Sequence, residues 1–557
     1  MRIVIIGGVA AGTSAAAKAR RNDEQAEIVI YEKDRDISYS GCGLPYYIGG
    51  EIQDIEKLTP RDPAFFKKKY EIQVKNEHEV MEISPKHKSL LIKDLSTGKV
   101  FSDYYDRLIL STGASPFVPK IEGITKEHIF FLRNPQNALA IRNYIEIRKP
   151  KTAIIAGTGF IGLEMLENLL RRNIDVTIIE LADKITPNLD EDMSMYLENM
   201  ILKKGVKLLK SKTIERINDK SLVLNDGKVL KSEMVIMATG VRPNTYLAKS
   251  IGVTIGVTGA IQVNKRMQTN VKDIYACGDC IETFSVVTGK PIYRPLGSTA
   301  NKTGRIAGDA LNEGTLTYKG NLGTGIFKLF DLTIASTGLS EKEARVEGFD
   351  IEVSHNIKPD KPTYFNGEEM VIKAIADRKS KRLLGVQIVG KAGVDKRIDV
   401  FATLITYKAT VDELFHLDLA YAPPFSTTKD PVHYTGMILD NSISHRRKLI
   451  TSEEIRNLDE QMQIIDARSI DDYIKKGHVE GGENIPHGIL REKLETLDPK
   501  KMTVTYCNKG VTGNAAQNIL IGRGFEDVYN LSGGHTFYQG SKKLNFEIKK
   551  EGDEKYE

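Results

Sequence analysis

Two stretches of the chain repeat one pattern of apolar and polar positions: a short uninterrupted apolar run, a glycine turn, a helical segment, and a second apolar run closed by glutamate. In the first, Ile3-Val4-Ile5-Ile6 leads through Gly7-Gly8-Val9-Ala10-Ala11-Gly12 to Ile28-Val29-Ile30-Tyr31 and Glu32. In the second, Ala153-Ile154-Ile155-Ala156 leads through Gly157-Thr158-Gly159-Phe160-Ile161-Gly162 to Val176-Thr177-Ile178-Ile179-Glu180. Continuous apolar runs suit strands covered on both faces, and this order of elements predicts two βαβ units with parallel sheets. Near the other end, Val504-Thr505-Tyr506 reads as a strand that feeds Cys507-Asn508-Lys509-Gly510-Val511-Thr512-Gly513, a loop opening a helix. Before it, residues 441–455, with Ser444-His445-Arg446-Arg447-Lys448, read as a basic linker.

The turns carry the first chemistry. Their glycines permit a tight bend and let a pyrophosphate approach a helix N-terminus, where unpaired amides favour anions. Glu32 and Glu180 sit where an acid accepts ribose hydroxyls. Val9 replaces the middle glycine of the first turn, whereas Gly157, Gly159 and Gly162 complete the second. Glu180 would repel a 2'-phosphate, which favours NADH over NADPH in that unit; nearby Lys184 leaves NADPH possible.

Composition narrows the class. A chain of 557 residues suggests three or four domains, and 41% apolar with 27% charged residues is ordinary for a soluble protein. No apolar run approaches the roughly 20 residues of a membrane helix. Basic residues exceed acidic ones by only five, 79 against 74, which does not indicate nucleic-acid binding. The amino-terminal apolar run breaks at Gly7-Gly8, too short for a secretory leader, and four cysteines cannot form a disulfide scaffold, so a cytoplasmic location is expected. Cys277 and Cys280 form a C-x-x-C pair with no second pair for a four-ligand zinc site, and no metal is expected.

Cys42 stands alone in Ser38-Tyr39-Ser40-Gly41-Cys42-Gly43-Leu44-Pro45-Tyr46, just after the first βαβ unit. The helix that opens at Gly43-Leu44-Pro45-Tyr46 would place it at a helix N-terminus, where the dipole favours thiolate. Cys507 is a second solitary thiol, and its loop would point several backbone amides at one sulfur.

Thr269-Asn270-Val271-Lys272-Asp273-Ile274-Tyr275-Ala276-Cys277-Gly278-Asp279-Cys280 resembles the second flavin motif of two-dinucleotide-domain flavoproteins, whose Gly-Asp pair meets FAD. Leu108-Ile109-Leu110-Ser111-Thr112-Gly113 and Val235-Ile236-Met237-Ala238-Thr239-Gly240 resemble their crossover strands. The resemblance implies FAD at Gly7, Gly12, Glu32, Thr112, Gly113, Gly278 and Asp279, and NADH at Gly157, Gly159, Gly162, Glu180 and Gly240. Glutathione-reductase-like enzymes carry two neighbouring cysteines; this chain has only Cys42 there, so its partner sulfur must come from outside, or oxygen must make a sulfenic acid.

Over nearly its whole length the chain resembles the coenzyme A disulfide reductase branch of single-cysteine flavoprotein disulfide reductases, including persulfide-reducing members fused to a rhodanese domain. Ile464-Ile465-Asp466-Ala467-Arg468 and Gly477-His478-Val479-Glu480-Gly481-Gly482-Glu483-Asn484-Ile485-Pro486 match rhodanese landmarks. The resemblance implies an α/β protein with two Rossmann-like domains in a glutathione-reductase-like arrangement, an α+β dimerisation domain and a rhodanese-like α/β domain. The expected boundaries are 1–115 with 250–320 for FAD, 116–249 for NAD(P)H, 321–440 for dimerisation and 456–557 for rhodanese. It further implies a homodimer acting on small-molecule thiols and persulfides. Coenzyme A would meet Ser14, Lys18, Arg21, Ser38, Asn301 and Lys429; Lys18 and Arg21 lie one helical turn apart, which suits a phosphorylated substrate. Tyr364 and Tyr421 would reach from the partner subunit toward the redox cysteine. Rhodanese loops commonly carry Arg and Ser where this chain has Thr512 and Gly513, so a cation is missing unless Lys509 supplies it. Two other readings stay open: an NADH oxidase or peroxidase using a Cys42 sulfenic acid, and a redox-sensing protein whose rhodanese domain only docks partners.

Overall fold

The computed structural model describes residues 1–457 and 462–543, so residues 458–461 and 544–557 of the expected rhodanese segment lie outside the described residues. The chain forms two compact units, one of residues 1–183 with 207–330 and one of residues 184–206 with 331–557.

In the first unit both apolar repeats become parallel sheets. Arg2–Ile6 is central to a five-stranded sheet, flanked by Glu27–Tyr31 and Arg107–Leu110, with Gln73–Lys75 and Ile274–Ala276 at the edges. Ile3, Val4 and Ile5 are fully buried, as a strand covered on both faces requires. The helix Ala10–Asn22 covers this sheet and packs on Gly297–Ala310 at very short range: a Cβ on Gly304 would stand 2.2 Å from the Ala11 carbonyl oxygen. The second repeat builds Lys207–Leu209, Asp175–Ile179, Thr152–Ala156, Met234–Met237 and Ile129–Phe130, again parallel. Two short antiparallel strands, Ala114–Pro116 and Val241–Pro243, pair with each other beside Gly113 and Gly240.

The second unit contains an antiparallel sheet in which Leu332–Gly338, Leu383–Gly390, Glu369–Asp377 and Ile351–Pro359 lie side by side. Val394–Thr406 and Pro431–His445 pack on it. It also contains a parallel sheet ordered Leu449–Ile450, Val528–Leu531, Thr503–Tyr506, Gln463–Asp466 and Gly482–Asn484. Among the described residues no helix is long and apolar enough to cross a membrane.

One expectation about organisation needs correction. Residues 441–455 are not a linker: 441–445 finish the helix Pro431–His445, Leu449–Ile450 pairs with Val528–Leu531, and Ser452–Asn457 is helical. The basic run reads as linker because its partner strand lies far along the chain. Residues 184–206, inside the expected NAD(P)H segment, pack with the second unit. Charge pairs and a ring stack join them to it. Asp190 and Asp192 meet buried Lys373 at 3.3 and 2.8 Å, His355 Nε2 lies 2.6 Å from Asp192, and Tyr196 stacks on Phe537.

Candidate functional site

The first glycine turn is held by contacts that no side chain could share. Gly7 has φ +103°, and a Cβ there would lie 2.2 Å from the Ser111 carbonyl oxygen; one on Gly12 would lie 1.9 Å from that of Gly7. Glu32 closes the turn by accepting the Gly8 and Asp34 amides at 2.7 and 3.0 Å, while burial pushes its carboxyl up. Gly278 donates its amide to the Thr303 hydroxyl at 3.1 Å, and Asp279 pairs with Arg133 at 2.9 Å. Asn244 straps Thr112 and Gly113: the Thr112 hydroxyl donates to its carbonyl at 2.7 Å, and its own amide donates to Gly113 at 2.9 Å. A Cβ-free cradle ending in an acid fits a dinucleotide.

The second turn repeats the device. A Cβ on Gly157 would lie 2.4 Å from Ala238 O, and one on Gly162 2.2 Å from Gly157 O, but one on Gly159 would meet nothing. Gly159 therefore marks the open side, where a ligand can approach the helix Phe160–Leu170. Glu180 accepts from the Thr158 amide at 2.9 Å and the Ala182 amide at 2.9 Å, so its acid is oriented by the backbone. Gly240 accepts the Phe117 amide at 2.9 Å. Lys184 donates to the Leu189 carbonyl at 2.6 Å.

Cys42 lies in the short 3-10 turn Gly41–Gly43 ahead of the helix Leu44–Gly49, and its thiol is exposed. Cys42 does stand just ahead of that helix, but its other surroundings act against the thiolate. Burial of the surrounding site and the Glu164 carboxylate push the thiol up, with Asp279 adding to the effect and Arg133 opposing it. A nearby carboxylate disfavours a thiolate. Glu164, on Phe160–Leu170, has its own carboxyl pushed up to about 7 by burial, against a hydrogen bond from Tyr46. Neither Glu164 nor Arg133 was singled out from sequence. The available signal was that Glu164 follows the last fingerprint glycine by half a helical turn. Glu164→Gln is expected to raise the alkylation rate of Cys42 about threefold at mildly alkaline pH, because a neighbouring negative charge is removed. Site-resolved mass spectrometry reads this, and an unchanged rate removes Glu164 from the account.

The remaining thiols of the first unit are buried: Cys277 and Cys280 are inaccessible, burial pushes both up, and the Cys280 thiol donates to the Cys277 carbonyl at 3.2 Å. Among the described residues no cluster of three or more His, Cys, Asp or Glu could hold a metal ion.

Four of the expected coenzyme A contacts come together on the helix pair Ala10–Asn22 and Gly297–Ala310. The Ser14 hydroxyl donates to Asn301 Oδ1 at 2.6 Å. Lys18 is engaged by Asp309 at 3.0 Å, whereas Arg21 is exposed with its guanidinium 5.8 Å from the Tyr70 ring. Ser38, held at φ +51°, donates its amide to Gly8. Lys429 belongs to the second unit and is exposed, as are Tyr364 and Tyr421, at 72% and 48%.

In the second unit Thr503–Tyr506 feeds Cys507, and the helix Val511–Gly522 begins after Gly510. Cys507 is 6% exposed at the wall of a cavity of about 690 Å³, which is also lined by Lys358, Arg468, Lys476, Lys509 and His535. Gly513 is required by packing, since a Cβ there would sit 2.4 Å from Asn530 Oδ1 and 3.0 Å from the Tyr506 Cα. Lys509 lines the same cavity, and its ammonium pairs with Glu369.

Comparison with known proteins agrees with this arrangement. A model described as pyridine nucleotide-disulphide oxidoreductase matches residues 1–300, the dimerisation domain of that group matches 325–431, and a rhodanese-like domain matches 451–540. The solved structure of reduced Bacillus anthracis CoADR-RHD superposes with a TM-score of 0.94 at 38% identity, covering 97% of this chain and 98% of that one. An NAD-dependent persulfide reductase from A. fulgidus gives a TM-score of 0.90 at 38% identity over 96% and 100%. An NAD(P)H sulfur oxidoreductase (CoA-dependent) of Pyrococcus furiosus is 37% identical over 79% of this chain and 99% of its own length. Two glycine cradles, a solitary thiol and a rhodanese module in one chain have this one common explanation: the chain belongs to the pyridine nucleotide-disulphide oxidoreductases, in the coenzyme A disulfide and persulfide reductase branch that carries a carboxy-terminal rhodanese domain.

Proposed function

We propose that the protein uses NADH to reduce coenzyme A persulfide, polysulfide and coenzyme A disulfide through a mixed disulfide at Cys42, with Cys507 handling sulfane sulfur. The reading rests on one observation: the exposed thiol of Cys42 lies in the same unit as two nucleotide cradles and has no second cysteine beside it.

The residues present fit both nucleotides. Gly7, Gly12, Glu32, Gly278 and Asp279 would hold FAD, and Gly157, Gly159, Gly162 and Glu180 would hold NADH. When bound, FAD supplies two-electron transfer between nicotinamide and sulfur. Glu180, oriented by two backbone amides, bonds free ribose hydroxyls and disfavours a 2'-phosphate. The Cys42 thiolate attacks the disulfide or persulfide bond, displaces one sulfur leaving group and keeps the other as a mixed disulfide. For the persulfide the overall balance is NADH + H⁺ + CoA–S–SH giving NAD⁺ + CoA–SH + H₂S. Arg133 opposes the repulsion that Glu164 and Asp279 exert on this thiolate. Arg21, exposed on the same helix as Ser14, would meet phosphate.

Exposed Tyr364, Phe365, Tyr421 and Phe425 in the dimerisation segment favour burial against a second copy, and the active unit is a homodimer. Four unpaired cysteines suit a reducing cytoplasm.

Anaerobic incubation with coenzyme A disulfide tests the reading. Intact mass should show one coenzyme A on wild-type protein and none on Cys42→Ser, and NADH should release it. Oxygen uptake matching NADH oxidation without an adduct would replace this reading with the sulfenic acid one.

A further inference from the structure

The Cys507 cavity lies entirely within the second unit, yet one of its walls comes from outside the rhodanese sheet: Lys358 belongs to the strand Ile351–Pro359. Three other cations line the same cavity, and each already has a carboxylate. Arg468, 1% exposed, grips Asp466 through Nε and Nη2 and also donates to the Gly477 carbonyl. Lys476 pairs with Asp472 at 2.8 Å, and Lys509 pairs with Glu369. Among the described residues Lys358 has no carboxylate at ion-pair distance. Its ammonium rests 4.0 Å from the centre of the Tyr434 ring, which fixes its direction without neutralising it.

We propose that Lys358 is the cation of the rhodanese-type sulfur site, supplied by the neighbouring dimerisation segment in place of the cation that the loop lacks at Thr512, and that it holds the anionic sulfur of a thiol-borne persulfide over Cys507. The inference rests on the reading that Cys507 handles sulfane sulfur. It adds where the charge comes from and which substrate class that charge selects.

The electrostatics of the site agree with this geometry. Burial, Lys509 and Lys429 hold the Lys358 ammonium below the ordinary lysine value, while Cys507 and Glu369 favour its charged form. A half-buried ammonium in this position is most stabilised when an anion enters the cavity.

The chemistry requires such a charge. In R–S–S⁻ + Cys507–S⁻ giving R–S⁻ + Cys507–S–S⁻, a bond forms from the Cys507 thiolate pair to the terminal sulfur. The old sulfur–sulfur bond breaks, and its pair leaves on R–S⁻. No oxidant or reductant is consumed, but two anions must meet, and an unpaired cation at the meeting point lowers that cost.

The test uses full-length protein carrying Cys42→Ser, so that Cys507 is the thiol read. Site-resolved alkylation of Cys507 is measured with anionic iodoacetate and neutral iodoacetamide, and sulfur uptake from glutathione persulfide is followed by intact mass. Lys358→Met should lower the iodoacetate-to-iodoacetamide ratio about fivefold and slow sulfur uptake, while Lys358→Arg should restore the ratio to within about twofold. Lys509→Met, which removes a paired charge, should change the ratio less. An unchanged ratio in Lys358→Met overturns the assignment. A variant that merely loosens the fold raises both alkylation rates together, and Arg then fails to behave differently from Met, which also overturns it. If wild-type protein takes up no sulfur while the ratio still depends on Lys358, the sulfane-sulfur reading is lost and the cation assignment stands.

Discussion

Cys42→Ser lowers kcat/KM for coenzyme A persulfide and for coenzyme A disulfide by at least about three orders of magnitude, because a hydroxyl neither forms nor releases a mixed disulfide under these conditions. The loss should fall on kcat, since the surfaces that meet the substrate's phosphates are untouched. Cys507→Ser separates the two thiols. It leaves coenzyme A disulfide turnover within about twofold of wild type, because that substrate carries no sulfane sulfur. Steady-state NADH oxidation with each acceptor reads both effects. Persulfide turnover by Cys42→Ser at more than a tenth of the wild-type rate removes Cys42 from its assigned role.

The second large effect is on stability. Lys373 is 1% exposed and is held by Asp192 and Glu341, each at 2.8 Å, and by Asp190 at 3.3 Å. Removing one partner from such a cluster leaves uncompensated buried charge, so Lys373→Met should cost about 3–5 kcal/mol at neutral pH. Although burial opposes it, Lys373 and His355 hold the Asp192 carboxyl well below the usual range. A depressed carboxyl stabilises the fold above its unfolded value, about 4, and loses that contribution as pH falls through the folded value. The difference between wild type and variant should therefore shrink below about pH 4. Adding Asp192→Asn to Lys373→Met should recover part of the loss, since one unpaired charge is removed. Urea denaturation followed across this pH range measures all three, and equal stability of Lys373→Met and wild type at neutral pH would show that the cluster is neutral to folding.

The same cluster shows why residues 184–206 pack with the second unit although they follow Glu180 in the chain. Residues 184–206 follow Glu180 in the chain and continue its α/β rhythm, so local pattern alone joins them to the second βαβ unit. Their acids are paired in the other unit by Lys373 and His355, nearly two hundred residues on in number. The short strand Leu449–Ile450 was missed for a similar reason, because two residues carry no periodicity and their ladder is made with Val528–Leu531. Both glycine turns, in contrast, are legible locally: a turn is a backbone conformation in a few consecutive residues, and Gly7 and Gly157 adopt it at φ +103° and +106°.

From its residues alone this chain determines two glycine turns, each followed by an acid at the end of the next strand, a lone thiol at Cys42 and a strand-to-loop thiol at Cys507. Each is a local matter of backbone freedom or of one reactive side chain at a fixed offset. Only the tertiary structure decided how those thiols are surrounded: Glu164 and Asp279 push Cys42 up against Arg133, Lys509 is spent on Glu369, and Lys358 enters the Cys507 cavity from another sheet. Electrostatic environment is a sum over whatever the fold brings near, and charges distant in sequence contribute as fully as neighbours.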